Sequence, residues 1–321
     1  MEFYMPEASP LRSLTSFMGV PHATVPGAAR AVVLGLPFDC GNHPTRVGAR
    51  LGPSSIREQS LLLRAYDGES GVNPLAALGL VDLGDADVVS GDVEQAFPMI
   101  EAAMMTALSG GAVPVTFGGD GAVALPQMRA LAQHYDDLCV LHIDAHTDAY
   151  PIDGYNNATA FSRAFEEGLV NARNSFHIGT RRSHLVPGVY NYGRQLGYSI
   201  ISMEQLMQEG IQSVFGRVRE TLQGMPVYLC FDMDFFDPSV APGVCTPAWG
   251  GASAREGLEV IRSLSGLNIV SIDINTISPP HDVGGMSAFL AATVAYELLV
   301  MLALGSLGSR AVTGASQGSM Q

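Results

Sequence analysis

Five residues in two short segments carry the chemistry that this chain could perform. In "IDAHTDAY" (143–150), Asp144, His146 and Asp148 are spaced by two, so an extended backbone would turn all three to one side. In "LCFDMDFFDP" (229–238), Asp232 and Asp234 repeat that spacing. Either motif alone reads as well as a polar strand end. Together they bring four carboxylates and an imidazole to one place, where they repel one another unless cations neutralise them. A mixed carboxylate and imidazole set suits Mn, Ni, Zn or Fe rather than Ca. A third segment, "VTFGGDGAV" (115–123), runs from an apolar stretch into a glycine turn with one carboxylate, Asp120.

The elements that must position these residues are short apolar runs separated by helical stretches. Strands are expected at 31–36, 113–117, 139–144, 175–179, 198–202, 227–232 and 269–274, and helices at 93–111, 124–135 and 253–264. The last helix opens on a capping box, Ser253 with Glu256. Nearly continuous apolar strands alternating with helices indicate one α/β domain with a mostly parallel central sheet and helices on both faces. No compositional break divides residues 1–321; 1–28 reads as an N-terminal extension and 309–321 as a flexible tail. In such sheets ligands bind beyond the carboxyl ends of the strands. Asp120, Asp144 to Asp148, Asp232 to Asp237 and Asn275 all follow expected strand ends.

The bulk numbers exclude several classes. A net charge of −14 argues against nucleic acid or an anionic membrane surface as partner. All 17 basic residues are arginine, which rules out a Schiff-base or Walker lysine. Cys40, Cys139, Cys230 and Cys245 are widely spaced, as expected of a reduced, cytoplasmic protein. The first residues show neither a basic nor an apolar signal region. The apolar segment 288–305 contains Glu297 and reads as a buried or interface helix rather than a membrane span.

The two aspartate motifs, with "TRVGARLGPSSIR" (45–57), "FGGD" (117–120), "DPSVAPGVCTPAWGG" (237–251) and "SPPHDVGGMSA" (278–288), resemble the ureohydrolases, the arginase and agmatinase family, over most of the chain. The resemblance is closest on the agmatinase side. It implies an arginase–deacetylase fold in trimers or hexamers, a binuclear Mn or Ni centre, and hydrolysis of a guanidine to urea and an amine. By motif, Asp144 and Asp232 would bridge two metals, His146 and Asp234 would complete one shell, and Asp148 would serve the other.

Three positions depart from the family pattern. Its G-G-D-H ligand turn here ends in Gly121, which removes an imidazole. Its H-G-T-P-F stretch aligns with 157–161, putting Asn157 where a proton-transfer histidine belongs, and its E-x-S-P segment is matched with Asn275 at the glutamate. The expectation is therefore a catalytically impaired subunit with reduced, partial or absent metal occupancy and no intact catalytic residue. It would support an active paralogue in a hetero-oligomer that cleaves a small guanidine or biguanide, similar to the degenerate partner in paired nickel enzymes of the metformin hydrolase type. Two alternatives stand beside it: an active hydrolase with an altered substrate, and a stand-alone non-catalytic homo-oligomer.

Other residues receive plainer readings. His142 is expected to be a packed strand histidine out of phase with the metal face, and His177 either structural or close to the site. Asp39 and His43 are expected at the pocket mouth, and Trp249 either fills the rim or packs on the surface.

Overall fold

A computed structural model of the chain describes residues 15–41, 43–181 and 183–315, with side chains as far as residue 305. Eight strands form one sheet: β1 Ala31–Leu36, β2 Val81–Asp85, β3 Val113–Gly118, β4 Cys139–Ile143, β5 Phe176–Thr180, β6 Ser199–Ser202, β7 Pro226–Asp232 and β8 Asn268–Asn275. Their order is β2-β1-β3-β8-β7-β4-β5-β6, and every pairing between them is parallel.

Strand residues alternate between two buried cores. Leu141, Ile143, Leu229, Phe231, Ile272 and Ile274 belong to one, with Ile56, Val214, Val260, Ala291 and Leu298 from the helices that cover it. Val140, Tyr228, Cys230 and Val270 belong to the other, with Ile100, Met104, Leu125, Met128 and Phe161. The helices therefore cover both faces, as the sequence indicates.

The expected helix at 253–264 forms as Ala254–Arg262, with Ser253 and Glu256 completing the capping box. The final helix, Met286–Ala315, is long and apolar enough to cross a membrane. One side of it, Ala288, Ala291, Ala292, Ala295, Leu298 and Leu299, is buried in the core. That helix takes in the backbone of residues 309–315, and residues 316–321 of the expected tail lie outside the described residues. Within the expected N-terminal extension, residues 1–14 also lie outside them, while Phe17 is buried against Phe117.

Several motifs quoted above are structural anchors. Arg57 binds Asp82 through Nε at 2.8 Å and Nη2 at 2.9 Å, tying helix Gly52–Ser60 to β2. Both partners are buried, so removing one would leave an uncompensated charge, about 3–5 kcal/mol. Asp237 accepts from the backbone of Gly250 and Gly251 and closes the 237–251 loop.

Candidate metal centre

Gly121, the 144–148 segment, Asp232, Asp234 and Thr276 follow the ends of β3, β4, β7 and β8, which are neighbours in the sheet. They open on a cavity of about 760 Å³ whose walls include His146, Asp148, Asp232, Asp234 and Thr276.

The D-x-H-x-D spacing works through a turn rather than an extended strand, because β4 ends at Ile143. Asp144 Oδ1 accepts from the His146 backbone at 2.5 Å, and Asp148 takes a left-handed φ of +46°. Asp232 does the same for Asp234, whose backbone N–H reaches Asp232 Oδ1 at 2.7 Å at the head of the 3₁₀ turn Met233–Phe235. His146 Nδ1 lies 3.3 Å from Asp144 Oδ1 and 3.0 Å from Asp234 Oδ2. One donor atom from each of Asp144, His146 and Asp234 fits within 4.8 Å of the others, compact enough to surround one ion.

The electrostatics fit a cation. Burial, and after it the neighbouring carboxylates, pushes Asp148, Asp232 and Asp234 above the usual carboxylate range. Burial also works to raise Asp144, but His142 and His146 outweigh it and hold that carboxyl well below the usual range. Burial would lower His146, yet Asp234 and Asp144 raise it well above an ordinary histidine. Carboxylates and an imidazole gathered in this way are donor types that suit a transition-metal ion.

Gly121 lies at the other corner. A Cβ built there would stand 2.7 Å from Asp148 Oδ2 and 3.4 Å from the carbonyl of Asn157. The backbone of Gly121 lies outside the left-handed region, so a side chain there meets no φ penalty but needs the Asp148 carboxylate to shift. Asn157 lines the cavity.

Asn275 does not face the cavity. It is buried inside the sheet, where its Nδ2 donates to Asp273 at 3.1 Å. Counting back from Ser278-Pro279, the glutamate of E-x-S-P falls on Thr276, one residue later than the sequence reading placed it. Thr276 turns out of β8 with φ +66°, lines the cavity and donates Oγ1–H to Asp232 Oδ1 at 2.5 Å. The site has a hydroxyl there instead of a carboxylate.

His142 is the packed strand histidine expected, but its phase needs correction. It shares the parity of Asp144, so it lies in phase with that residue, and its Nε2 is 2.8 Å from Asp144 Oδ2. His177, on β5, is buried behind it and does not reach the cavity. The spacing H-x-D already held this signal. Sequence reading also passed over Arg181, whose guanidinium donates to the carbonyls of Asp234 at 2.6 Å and Ala248 at 2.8 Å, joining the metal loop to the cavity wall.

Of the rim residues, His43 and Trp249 line the cavity, and Trp249 is 69% exposed, so it does not fill the site. Asp39 is buried and accepts from the backbone of Gly41, Gly48 and Ala49, which makes it a loop anchor. All four cysteines are unpaired.

The model of the arginase family matches residues 29–301. The human mitochondrial guanidino acid hydrolase is 35% identical over 291 residues, 89% of this chain and 82% of that protein. Guanidinopropionase from Pseudomonas aeruginosa is 35% identical over 294 residues, 90% of this chain and 92% of that protein. Among solved structures, proclavaminate amidino hydrolase from Streptomyces clavuligerus superposes with a TM-score of 0.87 at 31% identity, covering 92% of this chain and 98% of that one.

Proposed function

The chain belongs to the arginase family, and from that premise we propose that it is a catalytically impaired subunit supporting an active paralogue in a hetero-oligomer. The complex would hydrolyse a guanidine or biguanide, of the metformin type, to a urea product plus an amine or guanidine. One observation carries this reading: where the family places an imidazole, Gly121 offers no donor and the Asp148 carboxylate crowds the space. Asn157 and Thr276, in place of the family's histidine and glutamate, support it, since neither can accept a proton or pair with a guanidinium as a charged group.

Asp144, His146, Asp232 and Asp234 would hold one Mn or Ni ion. A bound ion of this kind supplies Lewis-acid chemistry toward water and a polarised substrate. Of this chain's own residues, Thr276 orients Asp232, and Arg181 braces the loop that carries Asp234. The unpaired cysteines support a cytoplasmic location.

The test is co-expression with a paralogue that keeps G-G-D-H and E-x-S-P. The expected result is urea release by the pair, none by this chain alone, and a mass that requires both chains. Vigorous urea release by the isolated chain would overturn the proposal. It would favour instead an active hydrolase with an altered substrate, a reading that the roughly 760 Å³ cavity over His146 and Asp234 keeps in view.

A further inference from the structure

One wall of the cavity, between Tyr150 and Ala158, is a loop closed on itself. The Tyr150 N–H donates to the Ala158 carbonyl at 3.0 Å, which pinches off residues 151–157. Ile152, Asn156 and Asn157 of that loop line the cavity. Arg163 of helix Ala160–Glu166 holds the loop's shape: its Nε reaches the Gly154 carbonyl at 3.1 Å and its Nη2 the Ile152 carbonyl at 2.5 Å. Thr159 Oγ1 donates to the Gly154 carbonyl at 3.0 Å. These side-chain bonds span at most eleven residues, so they fold the loop without fixing it to the body of the domain.

Tyr155 supplies an attachment to that body. Its ring meets Phe97 edge to face, with centroids 6.2 Å apart and planes at 76°. The Arg129 guanidinium carbon lies 5.4 Å from the Tyr155 ring centre and 5.8 Å from that of Phe97, within the range of cation–π attraction. Arg129 is itself held in place. Its Nε and Nη2 fork onto Glu167 at 2.7 and 2.8 Å, and its Nη1 reaches Glu101 at 3.1 Å. Phe97 and Glu101 belong to helix Val93–Leu108 and Arg129 to helix Ala124–Leu131. The seat is therefore built on fixed helices, while the ring on it is 47% exposed. A contact this open to water can break and re-form by a local motion, without unfolding the core.

We propose that residues 151–157 form a strap across the cavity and that Tyr155, seated on Arg129, is its latch: release of the ring frees Ile152, Asn156 and Asn157 to move and opens the cavity from that side. The latch stands on contacts outside the metal centre; only its meaning for ligand entry rests on the function proposed above. Cys40 reports on the movement, because the Asn157 backbone N–H reaches its thiol and the other three cysteines are buried.

The experiment uses the full chain in EDTA, so its outcome is independent of metal occupancy and of urea release. Hydrogen exchange read by mass spectrometry should be about 10-fold faster at 151–158 in Tyr155→Ala, the scale of a lost ring pair and cation–π contact. Peptides from β4 and β7 should exchange as in the parent. Iodoacetamide should label Cys40 faster in Tyr155→Ala by a similar factor. Tyr155→Phe keeps the ring on the guanidinium and should match the parent in both readouts. Tyr155→Ala indistinguishable from the parent would overturn the proposal, as would Tyr155→Phe opening as readily as Tyr155→Ala. Faster exchange spread evenly through β4 and β7 would also overturn it, since the ring would then support the whole fold rather than a strap.

Discussion

Asp148 Oδ2 stands 2.7 Å from the point where a side chain on Gly121 would begin. The two positions compete for one volume. A side chain at position 121 therefore requires the Asp148 carboxylate to shift.

Gly121→His alone is therefore expected to fall short of restoring a second metal. The new side chain must displace Asp148, and overpacking of this kind costs about 1–3 kcal/mol. Elemental analysis should find about one equivalent of Ni or Mn per chain in both parent and variant, with a lower Tm in the variant. Two equivalents in the variant would show that Asp148 moves aside freely.

Thr276 and Asn275 give opposite outcomes with glutamate. Thr276 already holds a left-handed φ, so Thr276→Glu adds no new backbone demand and puts a carboxylate on the cavity wall. It should create measurable binding of methylguanidinium by calorimetry. Asn275→Glu buries a second carboxylate beside Asp273 and should cost on the order of 3–5 kcal/mol in urea denaturation, with no gain in binding.

How much of this was legible beforehand differs by residue. Strands such as Ala31–Leu36 and Pro226–Asp232 are buried on both faces and read as continuous apolar runs. β2, Val81–Asp85, is an edge strand with Asp82 and Asp85 in salt bridges to Arg57, so its polar pattern hid it. The gathering of Asp144, His146 and Asp234 in one place was readable because their types and spacing carry the chemistry. Thr276 was missed because a threonine announces no role until its hydroxyl is seen on Asp232. Arg181 was missed because its partners are backbone carbonyls, which no side-chain pattern reveals.

Stability should fall with rising pH when metal is chelated. Asp148, Asp232 and Asp234 have folded pKa values above the ordinary range, so the folded chain binds more protons and loses stability as pH climbs through those values. Asp120, raised by burial from 3.8 to about 6, follows the same rule. It adds on the order of 3 kcal/mol of loss between about pH 4 and 6. His146, also raised, contributes stability that is full below 6.5 and lost as pH passes its higher folded value. Asp144 is lowered, so its contribution is lost only toward acid. With EDTA present, Tm should drop from about pH 5 to about pH 8, Ni²⁺ should restore it, and Asp232→Asn should flatten the slope. A Tm that rises over this range would contradict the assignment.

Trp249 is the only tryptophan in the chain and sits on the cavity rim, so its fluorescence reports on that wall. Arg181 braces the adjacent Ala248 carbonyl. Arg181→Lys keeps the charge but loses the fork that serves several carbonyls at once. It should cost about 1–3 kcal/mol and make Trp249 more accessible to acrylamide quenching. Unchanged quenching would mean that the 246–249 wall stands without the brace.

The sheet order also constrains how a ribosome can deliver this protein. β8, the last strand made, occupies the seam between β3 and β7. A nascent chain can hold β2-β1-β3 and β7-β4-β5-β6 as separate part-sheets, but the two halves join only after Asn275 has left the exit tunnel. Pairings of such long sequence separation form slowly and leave strand edges exposed meanwhile. Any companion chain that engages this one during synthesis meets two half-sheets, with the site assembled at the final step.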